Sequence, residues 1–344
     1  MLILDEPTAV LTPQETDQLF GVLEGLAARG LAIVFISHKL GEVMRLSRRV
    51  AVLRGGRKVT EVATRDTDRG RLAEAMVGRP VAASKREPLA PGAPVLELEG
   101  VVVPGGQGRQ GLDGVSLTVR AGEILGIAGV SGNGQQTLSA LLSGLVLPVA
   151  GTVRHGTTPL PLGRPASIVA RGIGRIPEDR HEHGVVPDME VRENLVLESL
   201  REPAFQRRGV LRWAAIDTHA EQLIRAYEVR CEGPRQRTRL LSGGNIQKLI
   251  LGRVLERAPG FVLADQPTRG LDIGAVGYVH DRLLEARGRG AAVLLISEDL
   301  DELRALADQI AVMYRGRLGA PLPTESVTVQ ELGLMMAGQE LHAA

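Results

Sequence analysis

Leu241-Ser242-Gly243-Gly244-Asn245-Ile246-Gln247-Lys248 opens one helical stretch, and the apolar run Phe261-Val262-Leu263-Ala264 follows it, ending in Asp265-Gln266-Pro267-Thr268. The first segment sets a serine at a helix start, where it can act as the cap. Its two glycines leave backbone N–H groups open to an anion. The second reads as a parallel strand buried on both faces. Its terminal carboxylate falls at the carboxyl edge of the sheet, where ligands of open α/β folds bind, and there an Asp can hold the Mg2+ of a nucleotide. Upstream, the strand Glu123 to Ala128 enters Gly129-Val130-Ser131-Gly132-Asn133-Gly134-Gln135-Gln136-Thr137 and then an apolar helix. The glycines let the main chain curl around an anion at a helix N-terminus, the context that a phosphate-binding loop requires. The loop lacks its lysine. Gln135 stands there, and Gln136 stands where Ser or Thr would meet Mg2+. A charge-assisted contact worth about 1.5–3 kcal/mol is replaced by a neutral one.

The chain repeats itself at an offset of 260 residues. Asp5-Glu6-Pro7-Thr8 falls on Asp265-Gln266-Pro267-Thr268, Ile36-Ser37 on Ile296-Ser297, Gly56-Arg57 on Gly316-Arg317, and Met76 and Gly78 on Met336 and Gly338. The reading is two related units: residues 1–80 as the C-terminal part of a first, 81–94 as a linker rich in Pro, Ala and charge, and 95–344 as a complete second. By the same offset, a complete first unit would begin well before Met1. Thr12-Pro13-Gln14-Glu15 has the form of a capping box, followed by a helix with Leu19, Val22, Leu23 and Leu26 on one face and a stop at Gly30. Leu31 to Ser37 reads as a strand buried on both faces. Strand and helix alternate, so the fold class is α/β with a parallel sheet.

Length and composition agree with this. The 344 residues suit about two domains, and 44% apolar and 24% charged residues are ordinary for a globular chain. No apolar run approaches the ~20 residues of a membrane span, and the N-terminus does not read as a signal peptide. The single cysteine, Cys231, excludes an internal disulfide framework and a multi-cysteine metal site, so a cytosolic setting is expected. Only four of the 41 basic residues are Lys, but acidic residues balance them to a net +1 and aromatics are 2%, which argues against a nucleic-acid partner. His181 and His183 have a metal-like spacing, yet two histidines in one short loop read more simply as solvated.

The phosphate loop, LSGG and D-[EQ]-P-T-x-x-L-D together resemble the ATP-binding subunit of ABC transporters over nearly the whole chain. The tandem layout with a short linker resembles importers of simple sugars and nucleosides. Ile176-Pro177-Glu178-Asp179-Arg180 and Met76-Val77-Gly78-Arg79 add to it, and Asn245 to Arg253 looks more like the nucleoside branch served by lipoprotein receptors than the ribose or xylose branch. The resemblance implies a P-loop NTPase core with an antiparallel β subdomain and a helical signature subdomain, and ATP with Mg2+ as ligands.

In that family each of two ATP sites joins the phosphate loop, Asp-Glu strand and switch His of one unit to the LSGG helix of the other. Carried over residue by residue, the resemblance makes Asp5 the metal-side carboxylate, Glu6 the general base and His38 the γ-phosphate switch of a hydrolytic site closed by Ser242, Gly243, Gly244 and Asn245. The other site would be degenerate. It has Gly129, Ser131, Gly132, Asn133, Gly134, Gln135, Gln136 and Thr137 as its loop, Asp265 on the metal side, and Gln266 where a base is needed. Glu298 stands at the switch position and Glu178 at the loop-Gln position. A Gln cannot take a proton at neutral pH. Thr12 stands where the second unit has Asp272, and capping suffices to explain it.

The resemblance also implies a peripheral protein of the cytoplasmic membrane face. It would dock on transmembrane permease subunits, partly through the segment from Glu178 to Trp213, with an extracytoplasmic solute-binding protein or lipoprotein as an indirect partner. The chain alone is expected to show little or no ATPase activity, because nothing in it supplies the hydrolytic site's lysine. The competing readings are a catalytically inactive structural or regulatory nucleotide-binding subunit, a truncated gene product, and a soluble tandem ATPase of the ribosome-associated type, which would have a long basic linker.

Overall fold

The computed structural model describes residues 1–8, 11, 13–37, 39–78, 86–106 and 108–339. His38, Thr12, Arg79, Pro80 and linker residues 81–85 lie outside the described residues.

The first segment carries β1 (Leu2–Asp5), α1 (Pro13–Ala28), β2 (Ile33–Ile36), α2 (Leu40–Leu46), the hairpin β3 (Arg49–Arg54) and β4 (Arg57–Ala63), and α3 (Arg69–Val77). β1 and β2 pair in parallel, Leu2 beside Ile33 through Asp5 beside Ile36. The strand expected from Leu31 to Ser37 is thus shorter. Nor is it buried on both faces: Val34 and Ile36 are 46% and 48% exposed, and Ile3 is exposed with them. Among the described residues α1 covers one face of this two-stranded sheet, so alternate side chains point to solvent. The buried face of α1 also differs from expectation. Val22 is 61% exposed, while Phe20 and Leu23 are buried. Phe20 meets Phe35 of β2 edge to face at 6.0 Å, and that contact sets the rotation of the helix.

The second segment begins with β5 (Pro94–Val103), β6 (Leu112–Arg120), β7 (Ile124–Ala128), α4 (Gln135–Leu142), β8 (Ala150–His155), β9 (Thr158–Pro159), α5 (Pro165–Ala170) and β10 (Ile173–Ile176). Then come α6 (Val191–Val196), the small hairpin β11 (Gln206–Arg207) and β12 (Val210–Leu211), α7 (Trp213–Ala226) and α8 (Gly243–Leu255). The chain closes with β13 (Phe261–Asp265), α9 (Ile273–Gly288), β14 (Ala292–Ser297), α10 (Leu300–Leu306), β15 (Gln309–Tyr314), β16 (Arg317–Leu318), β17 (Leu322–Pro323) and α11 (Val329–Met336). Strands β10, β13, β14, β7 and β15 lie side by side in parallel, with β16 and β17 antiparallel to β15. A separate antiparallel sheet runs β6-β5-β8-β9.

The central strands β13 and β14 are apolar up to their last residue because each face of the sheet has its own core. Val262, Ala264, Val293 and Leu295 join the helices α8 to α11 in one cluster. Phe261, Leu263, Leu294 and Ile296 join α4 and the antiparallel sheet in the other. This is the two-sided burial that a continuous apolar strand predicts.

The 260-residue offset extends to hydrogen bonds. The Glu6 amide donates to Ile36 O at 2.9 Å, and the Gln266 amide to Ile296 O at 2.8 Å. Thr8 donates to Glu42 and Thr268 to Glu302. Glu6 and Gln266 even share a left-handed backbone, φ 45° and 47°. That conformation costs a non-glycine residue roughly 1–2 kcal/mol, so the same turn at both strand ends is imposed by its surroundings.

Candidate functional site

The loop after β7 turns through Gly132 and Gly134, at φ 87° and 117°, a region that other residues rarely enter. Asn133 ties it to the β15–β16 turn: its Oδ1 accepts from the Arg315 amide at 2.9 Å, and its carbonyl accepts from the Gly316 amide at 2.8 Å. Gln135, 6% exposed, folds into the loop and donates Nε2 to Val130 O at 3.1 Å. A Cβ on Gly129 would press on that nitrogen and would lie 2.7 Å from the main-chain oxygen of Met313, so the position favours glycine. The buried Oε1 of Gln135 has no hydrogen-bond partner among the described residues. Thr137 is buried, and its hydroxyl donates to Gln110 O at 2.6 Å. Gln136 is exposed and Ser131 stands at the loop rim.

A cleft of about 550 Å3 opens beside this loop, lined by Gln136, Arg175, Glu178, Asp265 and Arg269 among others. Asp265, 5% exposed, ends β13 there. Burial pushes its carboxyl up to about 6, with Glu178 and Glu298 adding repulsion. Glu178 pairs with Arg269. Gln266 and Glu298 meet across neighbouring strand ends, where the Glu298 amide lies 3.4 Å from Gln266 Oε1. Burial also pushes the Glu298 carboxyl up, against the opposing pull of Arg269, the Ser131 hydroxyl and Lys39.

The signature helix α8 begins at Ser242, but the serine does not cap it with its side chain. Its hydroxyl accepts from Asn245 Nδ2 at 2.9 Å instead, while Asn245 Oδ1 takes the Arg230 amide at 2.9 Å. The asparagine three residues on competes for the oxygen that a cap would use, and the first-turn amides of Gly243 and Gly244 stay uncovered by it. A second cleft, of about 660 Å3, is lined by Ser242, Gly244, Asn245 and Lys248 on one side and by Leu53 to Gly55 and Met76 to Gly78 on the other.

Asp5 and Glu6 lie exposed at the carboxyl end of β1 and line neither cleft. The structure therefore groups Gln136, Glu178 and Asp265, groups Gln266 with Glu298 and Ser131, and sets Ser242 to Asn245 apart from all of these. Two arginines were given no role by the sequence reading. Arg175 lines the first cleft, where burial lowers its guanidinium pKa against the pull of Asp265. Arg180 donates to the carbonyls of Arg269 and Gly270 at 2.6 and 3.1 Å and packs against Gly243. Arg175 stands in no motif of an Arg-rich chain, and Arg180 enters only as the last residue of the motif at 176–180. The Thr8–Glu42 and Thr268–Glu302 pairs were legible, since Glu42 and Glu302 obey the 260-residue offset. His181 and His183 sit in one turn, and no group of three or more metal-ligating side chains occurs among the described residues.

Residues 112–269 match the family model "ABC transporter". The nucleoside import ATP-binding protein NupA of Lactococcus lactis is 39% identical over 343 residues, a match covering 99% of this chain and 68% of NupA. The chain belongs to the ABC transporter ATP-binding family. Two further members of that family are the guanosine import ATP-binding protein NupO of Bacillus subtilis and the glucose import ATP-binding protein TsgD13 of Haloferax volcanii. Each is 43% identical over 98% of this chain, covering 66% and 62% of their own lengths. The chain thus spans about two thirds of these relatives. Among solved structures, the ADP conformation of the ATP-binding cassette MJ1267 is 22% identical with a TM-score of 0.56, covering 71% of this chain and 95% of that one. The dimeric cassette MJ0796 bound to ADP and Pi is 22% identical with a TM-score of 0.57, covering 67% and 98%. These two carry the fold alone: an ABC ATPase core of mixed α/β structure.

Proposed function

We propose that this chain is part of the ATP-hydrolysing subunit of an ABC importer for nucleosides or simple sugars. In this reading it holds the C-terminal part of a first nucleotide-binding unit (1–80), a linker (81–94) and a second unit (95–344). The hydrolytic site pairs Asp5, Glu6 and His38 with the signature residues Ser242, Gly243, Gly244 and Asn245.

The observation that carries this is the second cleft. Its first-unit wall includes Gly55, next to Gly56, the residue one repeat before Gly316. In the second unit the turn at Gly316 holds the phosphate loop by the Asn133 carbonyl. A first-unit phosphate loop held the same way would enter the cleft facing the signature helix. The sheet supports the same completion. In the second unit β7 lies between β14 and β15, whereas β2 and β3, their counterparts by offset, belong to separate sheets. One strand with its loop and lysine, paired with β2 and β3 as β7 is with β14 and β15, would complete that sheet, and the exposed Ile3, Val34 and Ile36 would be covered by its helix.

In such a site Mg2+ would neutralise phosphate charge on the Asp5 side. Glu6 orients the attacking water and accepts its proton. The amides at the start of α8 donate to the phosphates from the other side. The test is phosphate release by a polypeptide that carries this chain together with an upstream phosphate loop, beside the chain alone. Turnover is expected in the longer polypeptide, with little or none from the chain by itself. Robust hydrolysis by the chain alone that is lost in Glu6→Gln would overturn the assignment.

The missing lysine of Gly129–Thr137, with Gln266 and Glu298 replacing base and switch, favours a second reading, an inactive nucleotide-binding structural subunit. It requires no turnover even in the longer polypeptide. Permease subunits are the proposed partners, with a solute-binding protein acting through them. Val186, Val210, Trp213 and Leu240, all exposed, offer the apolar contact on the helical subdomain. No helix among the described residues is long and apolar enough to cross a membrane. A peripheral place at the cytoplasmic membrane face belongs to the same proposal as the permease partners.

A further inference from the structure

The residues of the second unit's own loop fit Mg·ATP poorly, and the misfit has a pattern. The lysine is gone, so the loop offers a phosphate only its main-chain N–H groups and the roughly half positive charge at the start of α4. Gln135 lies inside the loop, with Nε2 on Val130 O at 3.1 Å and a buried Oε1 that meets no partner among the described residues. Its NH2 is spent on Val130 O and its unpartnered atom is an acceptor, so Gln135 brings neither a free donor nor positive charge to a bound phosphate. Three carboxyls gather beside it. Asp265 ends the neighbouring strand, Glu178 lies across the cleft paired with Arg269, and Glu298 faces the Ser131 hydroxyl at the loop rim. Glu298 holds the position of His38 by offset, and its amide lies 3.4 Å from Gln266 Oε1. Where the first unit places a group that can donate to the outermost phosphate, the second places a carboxylate. Like charges a few ångströms apart repel strongly in a partly dry cleft.

We propose that the phosphate loop Gly129–Thr137 takes a nucleoside diphosphate and turns the triphosphate away, with the main-chain N–H groups of the loop holding the diphosphate and the Glu298 carboxylate standing where a third phosphate would lie. The proposal rests on the reading of Gly129–Thr137 as a phosphate loop apart from the hydrolytic site. It makes the second half-site a reader of the product nucleotide rather than a weak copy of the first.

The test is equilibrium binding of ADP and of the non-hydrolysable triphosphate AMP-PNP, each with Mg2+, to the 344-residue chain. ADP is expected to bind at least about tenfold more tightly than AMP-PNP. Glu298→Gln and Glu298→His should tighten AMP-PNP several-fold and leave ADP little changed, the histidine more so because it can donate to a phosphate. Using both variants guards against one failing to fold, with thermal melting as the check. Equal or tighter binding of AMP-PNP by the wild type overturns the proposal. An unchanged preference in both variants, or no binding of either nucleotide, does so as well. Glu6→Gln separates this from the hydrolytic assignment: it should abolish turnover in the longer polypeptide while the diphosphate preference of this loop persists.

Discussion

Residues 1–78 and 261–339 follow one pattern, yet their strand ends differ in chemistry. Asp5-Glu6 meets Asp265-Gln266 at the same turn, with matched left-handed residues and matched amide bonds to the neighbouring strand. The backbone at the strand end is kept where the side chain, carboxylate in one and amide in the other, is not. Packing differs as well. β13 and β14 are buried in every position, whereas β1 and β2 alternate between half-covered and exposed. The difference teaches that this turn depends on strand-end hydrogen bonds, such as the Thr–Glu pairs, and not on full enclosure of the sheet.

The largest expected effect breaks the chemical half of the comparison. In the longer polypeptide, Glu6→Gln should cut steady-state phosphate release by roughly 10²–10⁴-fold, the usual worth of a positioned general base. Gln266→Glu should leave the rate unchanged, because the second loop still lacks its lysine.

Packing comes next. Leu294→Ala removes a fully buried side chain and should cost about 2–5 kcal/mol in denaturant unfolding. Val34→Ala, one repeat earlier and half exposed, should stay within about 0.5 kcal/mol. Equal costs would mean that the first sheet is enclosed as the second is.

The third prediction concerns Asp265. Its carboxyl, pushed from 3.8 to about 6, keeps a proton that the unfolded chain has already released. Stability therefore falls as pH rises from about 4 to 6 and stays lowered above that. In EDTA, Asp265→Asn should be more stable than wild type by about 2–3 kcal/mol at pH 7 and equal to it near pH 3. Melting curves across that range decide it.

The smallest effect compares the Thr–Glu pairs. Glu302 accepts from Thr268 at 2.8 Å and Ser297 at 2.6 Å and is almost wholly buried. Glu42 accepts from Thr8 at 2.7 Å and Ser37 at 3.1 Å in a wetter setting. Glu302→Gln should cost about 1.5–3 kcal/mol and Glu42→Gln about 1 kcal/mol or less.

Much of this was legible in the residues. The continuous apolar run Phe261–Ala264, the glycines before α4 and the 260-residue offset suffice for an α/β core, its loop and its strand-end carboxylates. The resemblance of LSGG and DQPT to ABC ATPases then agreed with the family match. Other features were not legible because they depend on what stands across from a residue. Ser242 has the composition of a cap, but Asn245 takes its oxygen. Val22 has the spacing of a core residue, but Phe35 draws Phe20 inward instead. Arg180 is one arginine among many until it lies against Gly243.

What local periodicity and backbone chemistry encode can be read from the residues alone: where strands and helices run, where a glycine loop follows a strand, and that one strand end carries Glu6 where the other carries Gln266. Only the tertiary structure decided which faces are buried, that Gln135 fills its own loop, and that Glu298 confronts Ser131. Those relations join residues far apart in the chain, and burial, charge repulsion and competition for a hydrogen bond are properties of the neighbours that a fold brings together.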